Sequence, residues 1–198
     1  MLTSRRQTER WYTQVRRRIH ENLIEKAQAV VDTLRQAGLT AVTAESRTGG
    51  LIAACLSHGK EASTCFHGAF VVYTKAQKGN VLGVDANLLR DQRAVSAEVA
   101  RQMAEGALQR SQASLCVSVT GVLGPDPDED HNPPGLVYLG SAQRGKPTLL
   151  IRHEFSPRNP DSIRESTVLK ALALLEQAAG QESAQGARRH RLPTAPAR

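Results

Sequence analysis

An apolar strand pattern, Leu39 to Thr43, gives way to a helical one, Leu51 to Leu56, across Ala44-Glu45-Ser46-Arg47-Thr48-Gly49-Gly50. This junction constrains the fold more than any other feature of the chain, because a strand that turns straight into a helix is the unit of layered α/β domains. It also constrains the chemistry. The first amides of such a helix point outward and its dipole favours negative charge, so a phosphate or a developing oxyanion can be held there. The glycines let a ligand approach the backbone, and Ser46 stands just before them as a candidate nucleophile or ligand-binding hydroxyl. Taken by itself, the segment reads equally well as a capped turn with Thr48 as N-cap.

The rest of the chain alternates in the same way. Ile19, Leu23, Ile24, Ala27, Val30, Val31 and Leu34 share one stripe at helical spacing, which predicts a long amphipathic helix over residues 8–37 ending at Gly38. Phe66 to Thr74 is rich in strand formers, and Lys78 falls just beyond its end. Val95-Ser96-Ala97-Glu98-Val99 reads as a helix start capped by Ser96 and continuing through Met103 and Ala107 to about Arg110. Leu115 to Thr120 is a buried-strand pattern that stops at Gly121, and Gly124 to Pro134, with four acids and four prolines, reads as a loop. Leu136 to Leu139 and Leu149 to Phe155 predict a hairpin around Arg144-Gly145-Lys146-Pro147. Pro160-Asp161 then opens a helix with Ile163, Thr167, Ala171, Leu174 and Leu175 on one face. These elements predict an α/β fold: a three-layer α/β/α sandwich, one domain with a long N-terminal helix, whose ligand crevice lies at the strand ends carrying Ser46, Lys78 and Thr120. The expected organisation is a basic extension over 1–18, the folded domain over 19–180, and a disordered basic tail over 181–198.

A chain of 198 residues is long enough for one domain with a real core. The start, Met1-Leu2-Thr3-Ser4-Arg5-Arg6, lacks an apolar signal segment and no run is long enough for a membrane helix, so a cytoplasmic location with no membrane partner is expected. Three cysteines, Cys55, Cys65 and Cys116, show no CxxC or His-Cys spacing and each sits in an apolar pattern, so they are expected in the core rather than in a disulfide or a zinc site. The net charge of +7 raises the question of nucleic acid, yet residues 41–180 carry fourteen charges of each sign and the excess lies at the ends. A nucleic-acid domain concentrates its charge on a folded face, so nucleic acid is not the expected partner. The basic termini, including Arg16-Arg17-Arg18, are the one basis for an RNA- or membrane-associated alternative.

Several segments in order carry a resemblance: Glu45-Ser46-Arg47-Thr48-Gly49-Gly50, Phe66 to Lys78, Val81-Leu82-Gly83-Val84, Ala94-Val95-Ser96, Ser118 to Pro125, and Phe155 to Arg164. Over about residues 20–178 the chain resembles the CinA C-terminal domain family, whose stand-alone members include nicotinamide mononucleotide deamidases. The resemblance implies a metal- and cofactor-independent amidohydrolase, a small nucleotide substrate and a homodimer. Amide hydrolysis needs a nucleophile, a base, oxyanion donors and a proton for the departing amine. Ser46 matches the serine of the family's ESxTGG motif and is the candidate nucleophile, with Glu45 as an orienting group. Lys78 is the candidate base, a role that requires burial or a neighbouring cation to lower its pKa. Tyr73 is a candidate to orient that lysine or relay a proton, although a strand tyrosine in water accounts for it as well. Thr48, Gly49 and Gly50 are expected to donate to an oxyanion or phosphate, and Thr120 and Gly121, from a loop resembling the family's TGxxGP, to face the substrate. Arg164 matches a family arginine suited to a phosphate, or is simply an exposed helix arginine.

The departures from the family pattern are local. Arg47 stands for a cysteine, Gly68-Ala69 for a Gly pair, Thr74-Lys75 for Ser-Asn, and Gln77 for an alanine. Pro127 and Asp128 stand for a Gly pair, and Phe155-Ser156-Pro157-Arg158-Asn159 for a Phe-x-Gly-x-Arg stretch. Four acids over 126–130 repel a phosphorylated substrate unless Arg47, Lys75 or Arg158 offsets them. The chain therefore reads as a divergent member, either a hydrolase or a protein that binds a nucleotide-like ligand without turning it over.

Overall fold

Along the chain the elements run α1 (Arg5–Ala37), β1 (Ala41–Glu45), α2 (Leu51–His58), β2 (Phe66–Val71), α3 (Lys75–Leu82), α4 (Ala86–Arg90), α5 (Ala97–Gln109), β3 (Leu115–Gly121), β4 (Leu136–Gln143), β5 (Leu149–Glu154) and α6 (Pro160–Arg189). This computed structural model describes residues 5–90, 94–156 and 159–189, and side chains over 21–90, 94–156 and 159–181. The strands form one sheet in the order β2-β1-β3-β4-β5. Strand β1 is parallel to β2 and β3, whereas β3–β4 and β4–β5 are antiparallel. The mixture follows from the connections: helices join the parallel strands, and the predicted hairpin turn joins β4 to β5.

Side chains of β3 leave the sheet alternately, and both directions are buried. Leu115, Val117 and Val119 pack with Val30, Leu34, Ile52, Leu172 and Leu175 in the layer of α1, α2 and α6. Cys116 joins Val99, Met103 and Leu82 in the layer of α5 and α3. The same face of β3 carries Ser118 and Thr120, whose hydroxyls donate to the carbonyls of Ala100 (2.6 Å) and Ala94 (2.9 Å), so no buried hydroxyl there goes unpaired. Three layers, α on β on α, are thus the observed architecture. The three cysteines are buried free thiols. Burial pushes the Cys55 thiol up to about 11, with the Glu45 carboxylate adding to the effect, and burial raises Cys116 as well.

Helix α5 starts as its sequence predicts, with Ser96 Oγ accepting from the Val99 amide. Near its other end it lies so close to α3 that a Cβ on Gly106 would stand 2.0 Å from the Leu82 carbonyl oxygen. Two elements depart from expectation. The strand read over Phe66 to Thr74 ends at Val71, and Lys78, expected just beyond the strand, belongs to the short helix α3, which Thr74 caps by accepting from the Gln77 amide. Helix α6 does not stop near Gly180 but continues to Arg189, through alanine, glutamine and glutamate, which favour helix even without an apolar stripe. Among the described residues no helix is long and apolar enough to cross a membrane.

Candidate functional site

The connection leaving β1, helix α2, packs on one face of the sheet, and the helices leaving β2 pack on the other. The chain therefore parts at the carboxyl ends of the parallel strands, where a crevice forms in sheets of this kind. A cavity of about 470 Å³ lies there. Ser46 and Arg47 line it from the end of β1, Tyr73 and Thr74 from the end of β2, and Lys75, Ala76 and Lys78 from α3. Ala94, Val95, Gly121 and the acidic segment Asp128-Glu129-Asp130 close it.

Glu45 organises the turn that presents Ser46. Its side chain is fully buried, and both oxygens accept from the start of α2. Oε2 takes the Thr48 hydroxyl (2.8 Å) and the Gly50 and Ile52 amides (3.1 Å each); Oε1 takes the Ala53 amide (2.8 Å) and the Thr43 hydroxyl (3.1 Å). The carboxylate thus satisfies orphan donors of the helix and meets its positive end. Two expectations are corrected by this. Thr48 is not the N-cap; that position is Gly50, whose φ of 93° is left-handed and readily available to glycine. The Gly49 and Gly50 amides are not open to a ligand, since Gly49 donates to the Ser46 carbonyl (3.0 Å) and Gly50 to Glu45. Ser46 itself is only 2% exposed, and its hydroxyl has no hydrogen-bond partner among the described residues.

Lys78 is 4% exposed and reaches across the sheet ends. Its Nζ donates to the Ala94 carbonyl (3.2 Å) and to Thr120 Oγ1 (3.0 Å). Burial pushes its pKa down to about 8, helped by the cations Arg47 and Lys75 and opposed by Asp128 and Asp130. Thr120 is therefore not turned to the cavity as expected. It is fully buried behind Lys78, which it helps to hold, whereas Gly121 does line the cavity. Tyr73 meets Arg47 rather than Lys78: Arg47 Nη1 donates to the phenol oxygen (2.9 Å) and the guanidinium lies 5.0 Å from the ring centre. Both side chains are exposed, which is why they find each other.

Arg164 is not brought to this cavity. Its neighbour Ile163 is anchored in the α1-α2-α6 core, and Arg164 pairs with Asp161 on the same helix (3.4 Å). The acidic loop is braced internally: Asp128 accepts from the Asp130 and Asn132 amides and from the Asn132 side chain. Lys75 ties it to α3, 2.8 Å from both Glu129 and the buried Asp130 carboxylate. Partial desolvation works against the Lys75 charge, but the hydrogen bonds to Asp130 and Glu129 outweigh it and hold the ammonium above the ordinary lysine value. Of the three cations expected to offset the loop, Lys75 does so; Arg158 lies outside the described residues. The sequence marks Ala94 only as part of the Ala94-Val95-Ser96 segment; that its carbonyl accepts from Lys78 is a main-chain contact made by the fold.

An α/β/α layer architecture with a crevice at the carboxyl ends of its parallel strands defines the class of layered α/β domains. Residues 23–179 match the model of the CinA C-terminal domain, and the chain belongs to the CinA family. A CinA-like protein of Geobacter sulfurreducens is 37% identical over 168 residues, 82% of this chain and 40% of that protein. A CinA-like protein of Akkermansia muciniphila is 42% identical over 155 residues, 78% of this chain and 37% of that one. The chain thus spans about two-fifths of these relatives' length. Among solved structures, the competence/damage inducible protein CihA of Agrobacterium tumefaciens superimposes with a TM-score of 0.75 at 38% identity, covering 79% of this chain and 94% of that chain. A CinA superfamily protein of Klebsiella pneumoniae gives 0.76 at 28%, covering 80% and 98%.

Proposed function

We propose that this protein is an amidohydrolase resembling nicotinamide mononucleotide deamidase, with Ser46 as nucleophile and Lys78 as base. The observation that carries the reading is one cavity lined by both a nearly buried serine, without a hydrogen-bond partner among the described residues, and a buried lysine whose pKa is lowered to about 8. A neutral amine has two N–H groups and one lone pair. Ala94 and Thr120 take the two N–H groups of Lys78, which leaves the lone pair for the serine proton. Ser46 Oγ would attack the carboxamide carbon as its proton passes to Lys78. The protonated lysine would return it to the leaving nitrogen as ammonia departs and an ester forms. Water would then cleave the ester to the carboxylic acid, its proton restoring Ser46. Incubating the purified chain with nicotinamide mononucleotide and measuring ammonia tests this: release above Ser46→Ala and Lys78→Ala controls is expected, and none above them, with nicotinamide riboside equally inert, removes the reading. The homodimer implied by the resemblance is proposed with it; a monomeric mass by light scattering would exclude it.

The engaged amides at Gly49 and Gly50 favour a second reading, a member that binds a nucleotide-like ligand without hydrolysing it. Calorimetric titration showing binding without ammonia release would support that one instead.

A further inference from the structure

We propose that the substrate of this cavity is an unphosphorylated, positively charged pyridinium carboxamide, a nucleoside rather than its phosphate monoester. This rests on the amidase reading and concerns which amide the site accepts. The Ser46 hydroxyl lines the cavity without a hydrogen-bond partner among the described residues, so it is open to a ligand, and the surroundings decide that ligand's charge.

The anion-binding groups that the sequence singles out at α2, Arg164 and Lys75 are engaged elsewhere. The positive end of α2 faces the Glu45 carboxylate, which already takes the Gly50, Ile52 and Ala53 amides. Arg164 is absent from the cavity lining and pairs with Asp161. Lys75 is held by Asp130 and Glu129, and Lys78 is reserved for proton transfer. Besides Lys78, Arg47 lines the cavity without a carboxylate partner among the described residues, and it lies against Tyr73. With Lys78 in its neutral, competent form, the lining sets two cations, Arg47 and Lys75, against three carboxylates, Asp128, Glu129 and Asp130. A dianionic phosphate would deepen that excess of negative charge, whereas a pyridinium ring would cancel it. The loop cannot simply withdraw its acids, because Asp128 is braced by Asn132 and Asp130 is nearly buried against Lys75 and the Ala94 amide.

The test compares nicotinamide riboside with nicotinamide mononucleotide as substrates of the whole chain at pH 8. Ammonia release with kcat/KM higher for the riboside by about tenfold or more is expected. Equal values, or preference for the mononucleotide, overturn the inference while leaving the amidase reading intact. If neither compound releases ammonia, the amidase reading fails and the inference, which names a substrate, fails with it. Glu129→Gln removes one carboxylate from an exposed loop position. It should narrow the ratio between the two compounds by roughly threefold to tenfold, and an unchanged ratio overturns the role given to the loop. The double variant Asp128→Asn with Glu129→Gln should narrow it further. Because Asp128 braces the loop, the single Glu129 variant decides the matter if the double variant does not fold.

Discussion

Lys78 concentrates the energetics of the site in one side chain. Burial without a carboxylate partner favours the neutral amine, and the depression from 10.5 to about 8 is the result. Below about pH 8 both folded and unfolded chains hold the proton, and the folded chain bears the full cost of burying it. Between about 8 and 10.5 the unfolded chain binds the proton and the folded chain has lost it, so stability rises with pH across that window. Relative to Lys78→Met, the wild type should gain on the order of 3 kcal/mol between pH 7 and pH 11. Denaturant titration of both proteins at the two pH values measures it, and parallel pH profiles would contradict it. On the amidase reading, kcat/KM should climb about tenfold per pH unit below 8 and then level off; a profile flat from pH 6 to 9 would count against Lys78 as base.

At the scale of elements, the decisive join is between β1 and α2. Glu45 belongs to the strand, yet its five hydrogen bonds include three from the backbone of the helix start, so one carboxylate sets the angle at which the helix leaves and with it the position of Ser46. Glu45→Gln keeps the volume but turns an NH₂ group towards donors. Thermal unfolding should show a loss of about 3 kcal/mol, from at least two charge-assisted bonds broken and donors left unpaired. Activity should fall with it even at temperatures where the variant is folded, because Ser46 is the next residue. A variant as stable as wild type would mean that the helix start finds other acceptors.

At the scale of the molecule, the sheet is covered on both faces, and α1 with α6 forms most of one cover, joined across their surfaces by the Lys26–Glu176 ion pair. Leu34, fully buried in that layer, packs with the apolar face of β3. Leu34→Ala should lower stability by about 3 kcal/mol, and the melting temperature by roughly 6–12 °C, without altering the cavity on the far side of the strand ends. An unchanged melting temperature would show that α1 is not an integral layer.

Periodicity made the layers readable from the chain alone, because apolar residues at helical or strand spacing can be buried in only one way: the α1 stripe from Leu23 to Leu34, the fully buried β3, the Ser96 cap and the β4–β5 turn stand as their residues imply. Ser46 was legible as a polar group at a strand end where a layered sheet opens, and Lys78 through the family resemblance, although the fold sets it in α3. What the linear order could not express is pairing between distant groups of similar character. That the Gly50 amide meets Glu45 rather than a ligand, that Thr120 stands behind Lys78, that Tyr73 takes Arg47, and that Arg164 lies outside the cavity are outcomes of three-dimensional proximity. Local pattern decides which face of an element is buried; only the packed fold decides which hydrogen-bonding groups end up within about 3 Å of one another.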